Sequence, residues 1–221
     1  MRFLLVEGIT DVNFVRYIYA KIDEKFDFYD FAPPKRGNRS KVITFENKKY
    51  RNFKIINLKG QDNLLFALKE IIKPEEKSIQ KIAIISDADR DFKLSNQVVL
   101  KAIEDSKIDK DKFSTFLTPN NRDRGNLETL LLSSLDRESI PQLQCFQDYK
   151  RCLTKHIKDI EKRAIDKHEV EAYIKFSEKP RNRNQAQFSF IDENGDTGLW
   201  DLSHKEFEPI ITFVKSVFVN A

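Results

Sequence analysis

The stretch "IISDADRD", Ile84–Asp91, decides how this chain is read, because an apolar run stops abruptly in three aspartates, Asp87, Asp89 and Asp91. Carboxylates held close together repel, and each raises the other's pKa. A buried strand that ends in such a knot therefore implies a compensating cation, and further ligands for it elsewhere in the chain.

Working outward, "KIAIISD" (residues 81–87) reads as a buried strand, "LSNQVVLKAIEDS" (94–106) as a helix, "FSTFLTP" (113–119) as a strand and "GNLETLLLSSL" (125–135) as a helix start. Upstream, "RFLLVE" (2–7) is a short apolar run closed by a glycine, the pattern of a first strand. The next segment, "TDVNFVRYIYAKI" (10–22), carries Val12, Val15, Ile18 and Tyr19 at helical spacing, with Thr10 as the expected cap and Asp11 in the first turn. "KVITFEN" (41–47) and "FKIINLKG" (53–60) are expected strands around a "KKYRN" turn, and "GQDNLLFALKEIIK" (60–73) is an expected amphipathic helix. Alternating strands and helices imply an α/β fold with a central, mainly parallel sheet flanked by helices. In such sheets ligands sit at the carboxyl ends of strands. Glu7 and Asp87 both end strands, so they are expected at one edge of the sheet.

Three segments then carry the chemistry. "VEGITD" (6–11) sets Asp11 one helical turn past Gly8, so that it can face back toward Glu7. In "DADRD" (87–91), alternation along an extended backbone would point Asp87 and Asp89 the same way. "GNLE" (125–128) puts Glu128 in the first turn of a helix. Oxygen ligands with little histidine suit Mg²⁺ or Mn²⁺ rather than zinc. One or two ions are expected, and a two-ion site would activate water and stabilise the leaving oxygen in phosphodiester cleavage.

Glu-Gly after a first strand, "DAD" after a later apolar strand and a downstream "GNLE", in that order, resemble a Toprim (Rossmann-like) domain, the catalytic module of topoisomerases, DnaG-type primases and OLD-family nucleases. The "VEGITD" form is most similar to the OLD-type branch. The resemblance covers residues 1–135 as a catalytic core. It implies that Glu7 acts as metal ligand or general acid/base, that Asp87 and Asp89 hold the metal, and that Asp11 and Glu128 complete a second metal site. Asp91 is a further candidate ligand, with a helix cap or a partnership with Arg90 as the plain alternatives. Arg122 and Arg124 either bind phosphate or neutralise the nearby acids. The OLD-type resemblance also implies a basic residue late in the domain, for which Lys175, Lys179, Arg181 and Arg183 are the candidates. The chain carries no ATPase module, no primase zinc motif and none of a topoisomerase's further domains.

After about Pro141 the texture changes. Residues 136–221 are expected as a helical insert or subdomain that completes or packs on the core, with "QAQFSFIDENG" (185–195) as a returning strand with a turn at Glu193–Gly195, and "SHKEFEPIITFVKSVF" (203–218) as a closing helix capped by Ser203. Cys145 and Cys152 lie about 10 Å apart on one helix face, beyond disulfide reach. His156, His168 and His204 are too scattered for a zinc site. No run is long and apolar enough for a membrane span, and the short apolar start is not a signal peptide, so a cytoplasmic location is the default.

A net charge of +4 permits a polyanionic partner without demanding one. Basic stretches at 33–41, 47–54 and 178–185 read as solvated loops or as phosphate contacts, with Tyr50 and Phe53 as stacking surfaces. The leading expectation is a divalent-metal-dependent nuclease acting on nucleic acid, DNA ahead of RNA. The alternative is a non-hydrolytic nucleic-acid-binding module working with a protein partner such as an ATPase. A haloacid dehalogenase-type phosphatase or a response-regulator receiver fits worse, since both place their acids after the first strand.

Overall fold

The computed structural model describes residues 1–23, 27–32, 41–157, 162–177, 190–192 and 195–218. Its centre is a six-stranded sheet in the order β2-β3-β4-β1-β5-β6, built from β1 (Arg2–Val6), β2 (Phe31–Ala32), β3 (Ile43–Asn47), β4 (Phe53–Asn57), β5 (Lys81–Asp87) and β6 (Phe113–Thr118). The pairs β4–β1, β1–β5 and β5–β6 are parallel, whereas β3 is antiparallel to both of its neighbours. The fold is therefore α/β with a mainly parallel sheet.

Alternation along the strands sorts the side chains onto two faces. Leu4, Val6, Ile55, Ala83 and Ile85 face one core, together with α1 (Ile9–Ile22), α4 (Leu127–Ser133) and α7 (Glu208–Phe218). Phe3, Leu5, Ile56, Ile82 and Ile84 face the other, covered by α3 (Phe92–Ser106) and the helical segment that begins at Gln61. Because both faces are buried, the parallel strands read as continuous apolar runs.

The helical segment is not the regular helix its spacing predicts. A 3₁₀ turn (Gln61–Asn63) leads into α2 (Leu64–Phe66), then a π-helical turn (Ala67–Ile72), then 3₁₀ winding (Lys73–Ser78). Pro74 has no N–H for the Glu70 carbonyl and its ring crowds that group, which rules out α winding there. Two caps also differ from expectation. Gly8, not Thr10, is the N-cap of α1, and Asp11 is its third residue. Before α7, His204 rather than Ser203 caps the 3₁₀ turn Lys205–Phe207, while the Ser203 hydroxyl donates to Asp201.

The remaining elements are α5 (Pro141–His156), α6 (Lys162–Lys175) and a short antiparallel pair, β7 (Ile191–Asp192) with β8 (Gly195–Asp196). The turn expected at Glu193 lies outside the described residues. Leu143, Val170, Phe190, Trp200, Phe207 and Val214 belong to the same buried cluster as Leu4 and Val12, so the C-terminal region shares the core of the sheet domain. Phe14 packs on Phe190 and Phe207, and the Tyr17 hydroxyl donates to the Trp200 carbonyl at 2.9 Å. Phe53 is buried against Tyr19 and Phe31, which rules it out as a stacking surface for a base, whereas Tyr50 is exposed. Cys145 and Cys152 are free and exposed on α5. Among the described residues no helix is long and apolar enough to cross a membrane.

Candidate active site

The strand register builds the site. Val6 pairs with Asn57 on one side and Ile85 on the other, and Asp87 pairs with Thr118. The carboxyl ends of β1, β4, β5 and β6 therefore finish at one edge, and Glu7 and Asp87 emerge there as expected. A cavity of about 390 Å³ opens at this edge, lined by Glu7, Asp11, Lys59, Asp87, Glu128 and Lys167 among others.

Each acid is held by its element. One oxygen of Glu7, Oε1, accepts from the Ser86 hydroxyl at 2.5 Å and from the Asp87 amide at 3.0 Å. Asp87, 6% exposed, accepts through Oδ1 from the Thr118 hydroxyl at 2.7 Å and from the Leu127 amide at 3.2 Å, the latter in the first turn of α4. Asp11 turns back over the start of α1, where its Oδ2 accepts from the Gly8 amide at 2.8 Å. A side chain at position 8 would stand 3.1 Å from that oxygen, so glycine admits the close return of Asp11. Burial pushes the Asp11 carboxyl up to about 7, with repulsion from Glu7 and then Glu128 adding to the shift against the Gly8 hydrogen bond. The charge of Glu128 thus reaches Asp11 from the first turn of α4.

Asp89 departs from expectation. The strand ends at Asp87, and Asp89 adopts a left-handed backbone with φ 49°, its amide donating to the Gly125 carbonyl at 2.7 Å. The alternation that would aim Asp87 and Asp89 together presumes an extended chain, and that chain has already turned. Asp89 instead lines a second cavity of about 760 Å³, with Arg90, Asp91, Arg124, Asn126 and Asp166 among its other walls. Gly125 lies at φ 145°, where an added Cβ would meet Thr129 at 3.0 Å, so this junction needs glycine. Asp91 takes the plainer of its readings. It is the N-cap of α3, its Oδ1 accepting from Lys93 and Leu94 amides at 2.8 and 3.1 Å. Arg122 pairs with Asp123 at 3.0 Å on an exposed loop, and Arg124 faces the second cavity rather than the first. Lys175 is exposed in the last turn of α6, and Lys179, Arg181 and Arg183 lie outside the described residues.

Lys59 and Lys167 are the basic residues the sequence reading missed. Lys59 follows β4 at the same sheet edge, on a left-handed backbone (φ 57°) fixed by Asn57 Oδ1 accepting its amide at 2.8 Å. Strand-end logic applied to β4 would have found it. Lys167 comes from α6, and no motif marks it. Its neighbours anchor the helix: the Thr129 hydroxyl donates to Asp166 at 3.2 Å, and the fully buried Glu169 accepts from Gln147 at 2.6 Å.

Among the described residues no group of three or more His, Cys, Asp or Glu side chains is already gathered tightly enough to hold a metal ion. The donor chemistry nevertheless fits a hard divalent cation. Glu7, Asp11, Asp87 and Glu128 offer carboxylate oxygens alone, and after burial the next cause that raises the Asp11 pKa is repulsion from Glu7, which a cation would relieve. Comparison with known proteins returns no match among curated proteins and none among solved structures. The model of the family described as "Protein of unknown function (DUF3226)" matches residues 1–219, and the chain belongs to that family.

Proposed function

We propose that the chain is a divalent-metal-dependent nuclease of the Toprim type, hydrolysing phosphodiester bonds in nucleic acid, with DNA as the preferred substrate. The observation that carries this reading is the meeting of Glu7, Asp11, Asp87 and Glu128 with Lys59 and Lys167 around one cavity at the carboxyl edge of the parallel sheet. Mg²⁺ or Mn²⁺ bound by Glu7, Asp11, Asp87 and Glu128 would supply an activated water and neutralise charge on the phosphate. The protein's own groups do the rest. Lys59 and Lys167 attract and orient the phosphate. Asp11, whose carboxyl burial pushes up to about 7, would give up its proton in holding a cation near neutral pH. Asp89 and Arg124 stand in the adjoining cavity, where the flanking nucleotides would pass.

The test is cleavage of supercoiled plasmid and of single-stranded RNA with Mg²⁺ and then Mn²⁺, beside Glu7→Gln and Asp87→Ala proteins. Metal-dependent cutting by the natural protein, reduced at least about a hundredfold in both variants, is the expected result. Equal cutting by the variants would end the proposal. A second reading, nucleic-acid binding without hydrolysis and dependent on a partner, draws on the lack of a ready-gathered metal group among the described residues. Tight binding of the same nucleic acids with no cutting in either metal would favour it.

A further inference from the structure

Glu7 is held from behind by residues that have no place of their own in the acidic site. Ser86, 4% exposed near the end of β5, donates its hydroxyl to Glu7 Oε1 at 2.5 Å. The same hydroxyl oxygen accepts from Gln61 Nε2 at 3.1 Å. The Ser86 hydroxyl thus gives its one proton to Glu7 while taking the Gln61 amide on a lone pair, so it links the two side chains. The loop that carries Gln61 is tied to the same place through its backbone, since the Gly60 amide donates to the Glu7 carbonyl at 3.0 Å. Asn63 closes that loop by donating to the Leu58 carbonyl at 2.9 Å. Gly60, at φ 121°, allows the chain to turn directly into the 3₁₀ turn bearing Gln61.

We infer that Gln61 and Ser86 form a positioning relay that fixes the carboxylate of Glu7, so that the loop after β4 sets the geometry of the site and not only its edge. The inference rests on the metal reading above. In the relay, Gln61 fixes the direction of the Ser86 hydroxyl, and Ser86 together with the Asp87 amide fixes Glu7 Oε1. Groups that orient a ligand from outside its first contacts change affinity by about tenfold or more when removed.

The experiment compares the full-length natural protein with Ser86→Ala and Ser86→Thr by two measurements: Mn²⁺ binding followed by the electron paramagnetic resonance of the free ion, and crystal structures without metal. Ser86→Ala is expected to lose about tenfold or more in Mn²⁺ affinity and to show the Glu7 carboxylate moved off the Asp87 amide, with Ser86→Thr restoring both. Should the alanine protein fail to fold, Gln61→Glu, on the half-buried 3₁₀ turn, replaces it. A carboxylate there competes for the Ser86 proton, and the same two changes are expected. Glu7 left in place, or Mn²⁺ bound equally well by natural and variant proteins, overturns the relay. A natural protein that binds no Mn²⁺ removes the metal reading instead, and the displacement or retention of Glu7 in the crystals then decides the relay alone.

Discussion

At the scale of single residues, Asp11 links the electrostatics of the site to the stability of the fold. In the unfolded chain its carboxyl titrates at the ordinary 3.8, and in the folded protein at about 7. Between those values the folded state binds more protons than the unfolded state, so stability falls as pH rises through this window and is level above it. Asp11→Asn keeps an oxygen that can accept the Gly8 amide and removes the titration. The variant is expected to show a shallower decline in Tm from pH 4 to pH 7 than the natural protein, and to be the more stable of the two at pH 8 in the absence of divalent ions. Thermal unfolding across that pH range, in chelator, checks this. An unchanged slope would mean that the Asp11 carboxyl is not raised in the folded protein. Adding Mg²⁺ at pH 8 should narrow the gap, because a cation that binds only the folded natural protein raises its Tm with concentration.

At the scale of elements, the ends of strands and helices decide which acids meet. Glu7, Asp87 and Glu128 were legible because each sits where an apolar run stops or a helix starts: register brings the first two to one edge, and the first turn of α4 brings the third. Asp89 was not, because period-two alternation says nothing about where a strand ends, and one left-handed residue redirects the side chain. Lys167 was illegible for a different reason: its approach depends on how α6 docks, through Asp166 on Thr129 and Glu169 on Gln147, and these are tertiary contacts without local signature. Asp91 separates the two kinds of role experimentally. As the N-cap of α3 it satisfies two amides of the first turn, and its loss is expected to cost about 1 kcal/mol of stability. Asp91→Ala should therefore lower Tm by a few degrees while Mn²⁺ affinity stays within about twofold of the natural value. A large loss of Mn²⁺ binding with no change in Tm would return Asp91 to the ligands.

At the scale of the whole molecule, the region beyond residue 135 cannot be an accessory. It supplies Lys167 to the acidic cavity and a large share of the core over α1 and the sheet. Val12, Phe14 and Tyr17 are each at most 2% exposed, and Phe190, Trp200, Phe207 and Val214 belong to the same buried cluster. Burying one large apolar side chain contributes about 1.5–3 kcal/mol, so uncovering several of them together approaches the whole stability of a typical domain. The family match across residues 1–219 likewise spans both parts. A chain cut after residue 135 is therefore expected to lose its cooperative thermal transition and to bind the dye ANS through exposed apolar surface, although it keeps Glu7, Asp11, Asp87 and Glu128. Circular dichroism melts and ANS fluorescence on the shortened and full-length proteins check this. A sharp transition in the shortened chain near the full-length Tm would show that the sheet and its first helices form a core of their own, and would leave the C-terminal helices only the task of delivering Lys167.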